Sequence, residues 1–284
     1  MREKRKELKR NNCTKGYLYY RHPLPVRIMH WANVLFLFLL LMSGLNIFNA
    51  HPSLYWGKSS YRNVPPILEI KAVENEEGEI SGVTRIFNHE FKTTGILGAS
   101  KDQSGELSER GFPSWIIIPS YQWLAMARHW HFFIAWLFVL NGLTFVTYSI
   151  LSRHLRCDLV PTKQDWRSIG RSIIDHLLFR HPRGEAAKRY NILQKCTYLL
   201  VIFFLLPLMI LMGMGMSPAL DALIPGWVGI FFGRQSVRTI HFLVAWTLVA
   251  FVLVHVFEVI VSGLWNNIRS MITGYYRIHS EKKS

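Results

Sequence analysis

The chain has 284 residues, half of them apolar, and 33 Lys and Arg against 18 Asp and Glu give a formal net charge of +15. That basic excess falls in blocks between long uncharged runs rather than in one patch, which excludes a nucleic-acid binder. Three cysteines (Cys13, Cys157 and Cys196), with no Cys-x-x-Cys-His, iron–sulfur cysteine run, Walker A loop or Gly-rich dinucleotide fingerprint, exclude a disulfide scaffold, a thioether-bound haem and a nucleotide-binding domain.

Four runs lack Asp, Glu, Lys and Arg entirely: 28–48, 129–151, 196–216 and 239–257. A bilayer core of about 30 Å takes about 20 helical residues at 1.5 Å each, so each run is long enough to span. The first starts too late and runs too long for a cleavable signal peptide, and no small-residue cleavage site follows it. The predicted fold is an all-α membrane protein, a four-transmembrane-helix bundle.

In chain order, a basic segment 1–27 carries nine Lys and Arg against two acids, and span 28–48 follows. Segment 49–128 is nearly neutral; 83–87 reads as a strand of a small hairpin, and 115–123 as an aromatic interfacial stretch feeding span 129–151. Loop 152–195 carries ten basic residues against four acidic ones, with amphipathic stretches at 165–179 and 184–194 that suit a membrane surface. After span 196–216, segment 217–238 is balanced, the last span is taken as 239–263, and the tail 264–284 is basic again. Basic and neutral segments alternate, so the positive-inside rule predicts an inner-membrane protein with both termini and loop 152–195 in the cytoplasm.

One motif occurs three times. Arg27-x-x-His30-Trp31, Arg128-x-x-His131-Phe132 and Arg238-x-x-His241-Phe242 each open a span, and the last two also share Ala and Trp at matching offsets. Imidazole is a good axial ligand for haem iron, and the macrocycle wants apolar surroundings. An arginine one turn nearer water suits the propionates, which marks Arg27, Arg128 and Arg238 as propionate contacts.

Chain direction sorts these histidines by depth. Span one enters from the cytoplasm and spans two and four from outside, so His30 is an inner residue while His131 and His241 are outer ones. His255 follows His241 by fourteen residues. That spacing is about 40° short of four full turns and about 21 Å along the axis, which returns the ring to nearly the same face at the inner level. Two iron sites are therefore expected, His131 with His241 and His30 with His255, holding two haems b. His129 competes with His131 in span two, and the repeat favours His131. The Met212-Gly-Met-Gly-Met216 run reads as packing rather than as an axial ligand source. Gly44 and Gly142 are small-residue positions for close approach.

With Arg27-x-x-His30-Trp31, His51-Pro-x-Leu-Tyr-Trp56-Gly57, Arg128-x-x-His131-Phe132, Tyr190-Asn191-x-Leu-Gln194-Lys195 and Gly233-Arg-Gln-Ser-x-Arg238-x-x-His241-Phe242, the chain resembles the bacterial di-haem cytochrome b subunits of nickel–iron hydrogenases, formate dehydrogenases and thiosulfate reductases. The likeness runs from about His22 to about Tyr276 and is nearest to the thiosulfate-reductase branch. It implies the same ligand pairing, quinone as substrate, and a catalytic oxidoreductase partner outside the cytoplasm, molybdenum-dependent in kind. Glu258, three residues after His255, is the candidate acid for quinone protons or the partner of a nearby basic group; Tyr190, Asn191 and Gln194 are candidates for lining the quinone pocket. The other classes to weigh are a membrane haem reductase working alone and a histidine-bearing transporter or channel without haem, which calls for broken helices and mid-span acids.

Overall fold

The computed structural model describes residues 16–278, apart from 61–63, 75, 77, 103, 179 and 181–187. Cys13, His181 and the 184–187 part of the second amphipathic stretch lie outside the described residues. Helices α1 (Leu24–Asn49) and α2 (Leu124–Leu151), then α5 (Ile192–Gly215) and α7 (Arg234–Val261), are long and apolar enough to cross a membrane. Between α2 and α5 lie two short helices, α3 (Lys163–Arg167) and α4 (Ile169–Leu177). The short α6 (Pro218–Leu223) precedes α7, and α8 (Leu264–Thr273) follows it.

The spanning helices run 24 to 28 residues. At 1.5 Å per residue that is about 36–42 Å, more than an apolar core of about 30 Å, so their ends reach polar depth. Arg128, Arg234 and Arg238 are accordingly helical rather than loop residues. The flanks of these helices stay bare: Phe38, Trp136, Leu143 and Leu253 are each at least 60% exposed. Water would not tolerate such a surface, whereas lipid matches it.

The chain comprises two compact units. One comprises 32–141 and 206–247. Here the structure departs from the all-α expectation, because the segment after α1 folds as β-structure. Strands β2 (Ser53–Leu54), β3 (Leu68–Glu74), β4 (Ile80–Ile86) and β5 (His89–Lys92) form an antiparallel sheet in that order, and β6 (Gly98–Lys101) pairs with β7 (Leu107–Arg110). In β3, Leu-Glu-Ile-Lys-Ala alternates apolar with charged, the period of a half-buried strand. Ile70 and Thr84 are buried. On the facing side Glu69 meets Arg85 at 3.0 Å and Lys71 at 3.4 Å, and Lys71 also reaches Glu90 at 3.7 Å.

The sheet is seated on the end of α1. Leu45, Phe48, Leu54, Ile70, Phe112 and Ile117 form one buried cluster, with Phe242 packed against it. Asn49 clamps Phe112 at both ends: its Oδ1 accepts from the Phe112 N–H at 2.6 Å and its Nδ2 donates to the Phe112 carbonyl at 3.1 Å. Asn46 Nδ2 donates to the Pro119 and Tyr121 carbonyls. Paired main-chain groups are what allow so irregular a segment to be buried.

Segment 51–57 also grips the start of α7. Arg238 donates to the carbonyls of His51 and Ser53, Thr239 Oγ1 donates to the Tyr55 carbonyl at 2.7 Å, and Gly57 N–H donates to Ser236 Oγ at 2.7 Å. Gly233 precedes the helix at φ +114°, where a Cβ would stand 2.8 Å from Lys58 Cα. Only glycine suits both that backbone and that approach.

The second unit comprises the chain up to residue 31, then 142–205 and 248 onward. Strands β1 (Tyr17–Tyr20) and β8 (Tyr275–Ile278) pair antiparallel, joining the two ends of the described chain. Arg21 lies over the rings of Tyr190 and Tyr276. Thr162 and Asp165 close a capping box on α3, and Asp165 also pairs at 2.9 Å with the buried Lys195 of α5. α3 and α4 carry the predicted amphipathic stretch from Asp165 to Leu177. Cys157 and Cys196 are free thiols.

α5 is regular except at Val201–Leu205, where it widens into a π turn. Pro207 follows; it has no N–H and its ring crowds the carbonyl four residues back, so the wider turn relieves the clash.

Candidate functional site

In the unit containing the β-structure, α2 presents His131 and α7 presents His241. Their ring centroids are 6.3 Å apart and their planes 65° apart. Each ring is seated on a glycine. A Cβ on Gly44 of α1 would come within 3.3 Å of His131 Cε1, and one on Gly213 of α5 within 3.4 Å of His241 Cε1. A Cβ on Gly142 would meet nothing within 4 Å.

Hydrogen bonding assigns the tautomers. The Ser43 hydroxyl spends its single proton on the Leu39 carbonyl at 2.7 Å. Its oxygen, 3.1 Å from His131 Nδ1, therefore accepts the Nδ1–H. His241 Nδ1 lies 3.1 Å from the Met209 carbonyl, which can only accept. Both imidazoles thus carry their proton on Nδ1 and present an unprotonated Nε2, the state of a metal-ligating histidine whose outer nitrogen is held by a neighbour.

In the other unit, His30 of α1 and His255 of α7 repeat the arrangement, with ring centroids again 6.3 Å apart and planes at 56°. Phe251 stacks on His255 and Trp31 stands edge-on to His30. Trp31 Nε1 donates to the Met271 carbonyl at 3.0 Å, and Arg27 donates to the Ile272 carbonyl, so α8 fixes the start of α1. His30 Nδ1 is buried without a hydrogen-bond partner, unlike its counterparts in the first pair.

These dimensions suit an iron held between two imidazoles. With a metal–nitrogen bond of about 2.0 Å on each side, and each ring centre about 1.1 Å behind its nitrogen, the centres fall about 6 Å apart. A bare transition-metal ion wants about four protein ligands. Among the described residues no group of three or more His, Cys, Asp or Glu is gathered for one. A porphyrin brings four nitrogens of its own and needs only two axial ligands, so the residues fit haem.

The other sequence candidates divide. His129 is exposed, and it is His131 that stands opposite His241. Arg27 and Arg238 spend hydrogen bonds on main-chain carbonyls, and Arg128 lies over the Phe132 ring. Glu258 Oε1 is 3.2 Å from Nε2 of His176 on α4, so a histidine is among its partners. Asn191 and Gln194 close the capping box of α5: Asn191 Oδ1 accepts from Gln194 N–H at 2.8 Å, and Gln194 Oε1 accepts from Asn191 N–H at 3.1 Å. That engagement gives both side chains a local structural role. Tyr190 is half-buried edge-on against Tyr198, and desolvation pushes its phenol pKa up. Sequence reasoning missed Ser43, the Met209 carbonyl and Gly213. No motif marks them, because which residues face a histidine depends on how neighbouring helices are rotated.

The family model for prokaryotic cytochrome b561 matches residues 21–274. A similar protein, named provisionally as the protein-methionine-sulfoxide reductase subunit YedZ1 of Azospira oryzae, is 25% identical over 243 residues, covering 84% of this chain and 89% of that one. No solved structure matches the chain. The chain belongs to the prokaryotic cytochrome b561 family, membrane electron-transfer proteins that bind haem b.

Proposed function

We propose that this chain is the di-haem membrane subunit of an oxidoreductase, passing electrons between the quinone pool and a catalytic partner outside the cytoplasm. His131 with His241 would hold one haem b, and His30 with His255 the second. The observation that carries the reading is the pair of equal ring separations, 6.3 Å in both. Bound haem would supply reversible one-electron chemistry at the iron. The chain itself orients the imidazoles, through Ser43 and the Met209 carbonyl in one pair and through the aromatic neighbours Phe251 and Trp31 in the other.

Charge distribution supports both termini and loop 152–195 facing the cytoplasm of the inner membrane. The β-structured segment then faces outward, where a thiosulfate-reductase-like or other molybdenum-dependent partner would dock. The reductase-subunit name of the Azospira oryzae relative is of the same kind. On the inner side, Glu258 with His176 is the candidate group for taking up or releasing quinone protons, 3.2 Å apart and three residues beyond His255. Asn191 and Gln194 contribute to that region through the cap of α5.

A pyridine haemochrome assay on purified protein tests the reading, with two b haems per chain expected. His131→Ala and His241→Ala should remove the same haem and leave the spectrum of the other. A chain without haem, or two different haems lost, would sink it.

A further inference from the structure

At the end of α2 the structure contains a cavity of about 610 Å³ lined by Ser149, Ile150, Arg153, Leu155, Arg156 and Cys157. The volume is that of a small-molecule site. None of these residues belongs to the histidine pairs or to the Glu258–His176 pair.

The chain is bent to build the cavity. α2 ends at Leu151, and Arg153 takes a left-handed backbone at φ +59°, a conformation glycine adopts without steric cost. A single π turn, Leu155–Leu159, follows at once, with Cys157 N–H donating to the Arg153 carbonyl at 2.9 Å. The reversal brings Arg153 and Arg156 to one opening. The nearby carboxylate of Asp158 is already engaged by His154 Nδ1 at 2.6 Å.

Two guanidiniums and an apolar wall of Ile150 and Leu155 define the ligand chemistry. Guanidinium planes bind phosphate oxygens through paired hydrogen bonds. The cavity also sits where a membrane-spanning helix ends, at headgroup depth. We infer that it binds a phosphate group, and the apolar wall makes an anionic phospholipid of the adjoining leaflet the fitting source.

The test is native mass spectrometry of the full-length, haem-loaded protein in neutral detergent, titrated separately with phosphatidylglycerol, diacylglycerol and inorganic phosphate. One retained phosphatidylglycerol per chain is expected, with no retention of diacylglycerol, which lacks the phosphate. Arg153→Gln with Arg156→Gln should weaken retention by about tenfold or more, the scale of losing charge-assisted hydrogen bonds. Arg153→Gln alone should weaken it a few-fold, and Arg156→Lys less than Arg156→Gln; these single changes keep the test open should the double variant misfold. If inorganic phosphate occupies the site as tightly as the lipid, the phosphate site stands and its source is soluble. Equal retention of diacylglycerol, or unchanged phosphatidylglycerol binding in the arginine variants, would overturn it.

Discussion

The Ser43 hydroxyl lies 3.1 Å from His131 Nδ1 and, its own proton being given to Leu39, accepts from that nitrogen. A ligand whose outer N–H is held by an acceptor donates more strongly to its metal, favouring the oxidised state. In Ser43→Ala the haem on this pair should remain bound while its midpoint potential rises by about 20–40 mV, the one-electron equivalent of a hydrogen bond worth about 0.5–1 kcal/mol. Potentiometric titration of the visible spectrum reads it. An unchanged potential would show that the contact does not tune the site.

Gly44 sets how closely α1 approaches that same ring. A methyl there stands 3.3 Å from His131 Cε1, a few tenths of an ångström too near, so Gly44→Ala should reduce haem occupancy only in part. Gly44→Leu should displace the ring and abolish the haem on this pair, with the His30–His255 haem retained. Gly142→Ala, facing open space, is the control and should change neither.

How much of this could be read from the chain follows from which periods the sequence carries. Four long uncharged runs announce four spanning helices, and a fourteen-residue spacing on one of them places His241 and His255 on nearly one face. The β-structure after α1 was largely missed. The expected strand 83–87 overlaps a longer one, Ile80–Ile86, which stops short of Phe87, and its seven-residue partner Leu68–Glu74 went unread although it alternates, since Glu69, Lys71 and Glu74 make the stretch look like a solvated loop. Asn191-x-x-Gln194 is a legible capping box, a local role that stands beside the proposed one in the quinone region. The Glu258–His176 contact joins segments far apart in sequence, and no local pattern encodes it.

Arg238 holds the carbonyls of His51 and Ser53 from one turn before His241. Arg238→Gln should cost about 3 kcal/mol, since hydrogen bonds from a charged group are worth about 1.5–3 kcal/mol each. Arg238→Lys should recover little of it, because an ammonium lacks the planar fork. A lower thermal midpoint and faster protease cleavage within 51–57 are the measurements. Cleavage at the unaltered rate would argue against the clasp.

His22 supplies a pH dependence. Burial, reinforced by the charge of Arg21 and by His30, His154 and Arg27, lowers its pKa from 6.5 to about 4. The unfolded chain therefore binds the proton more readily than the folded one, and the stabilisation present above pH 6.5 is lost as pH falls toward 4. At pH 5 the loss should reach about 2 kcal/mol. Thermal unfolding at pH 7.5 and pH 5 should show a drop in midpoint that shrinks in His22→Gln. An equal drop in both would assign the effect to other groups.

The pairing of Tyr17–Tyr20 with Tyr275–Ile278 bears on the order of events during synthesis. Both histidine pairs draw a member from α7, made after the other three described spanning helices, so until that helix enters the membrane neither pair exists. The terminal strands zip after it, and contacts this distant along a chain form late. Apoprotein stalled before residue 234 should thus hold no haem through paired histidines, and the closing ribbon is expected to act as the latch of assembly, completed once the fourth helix is in place.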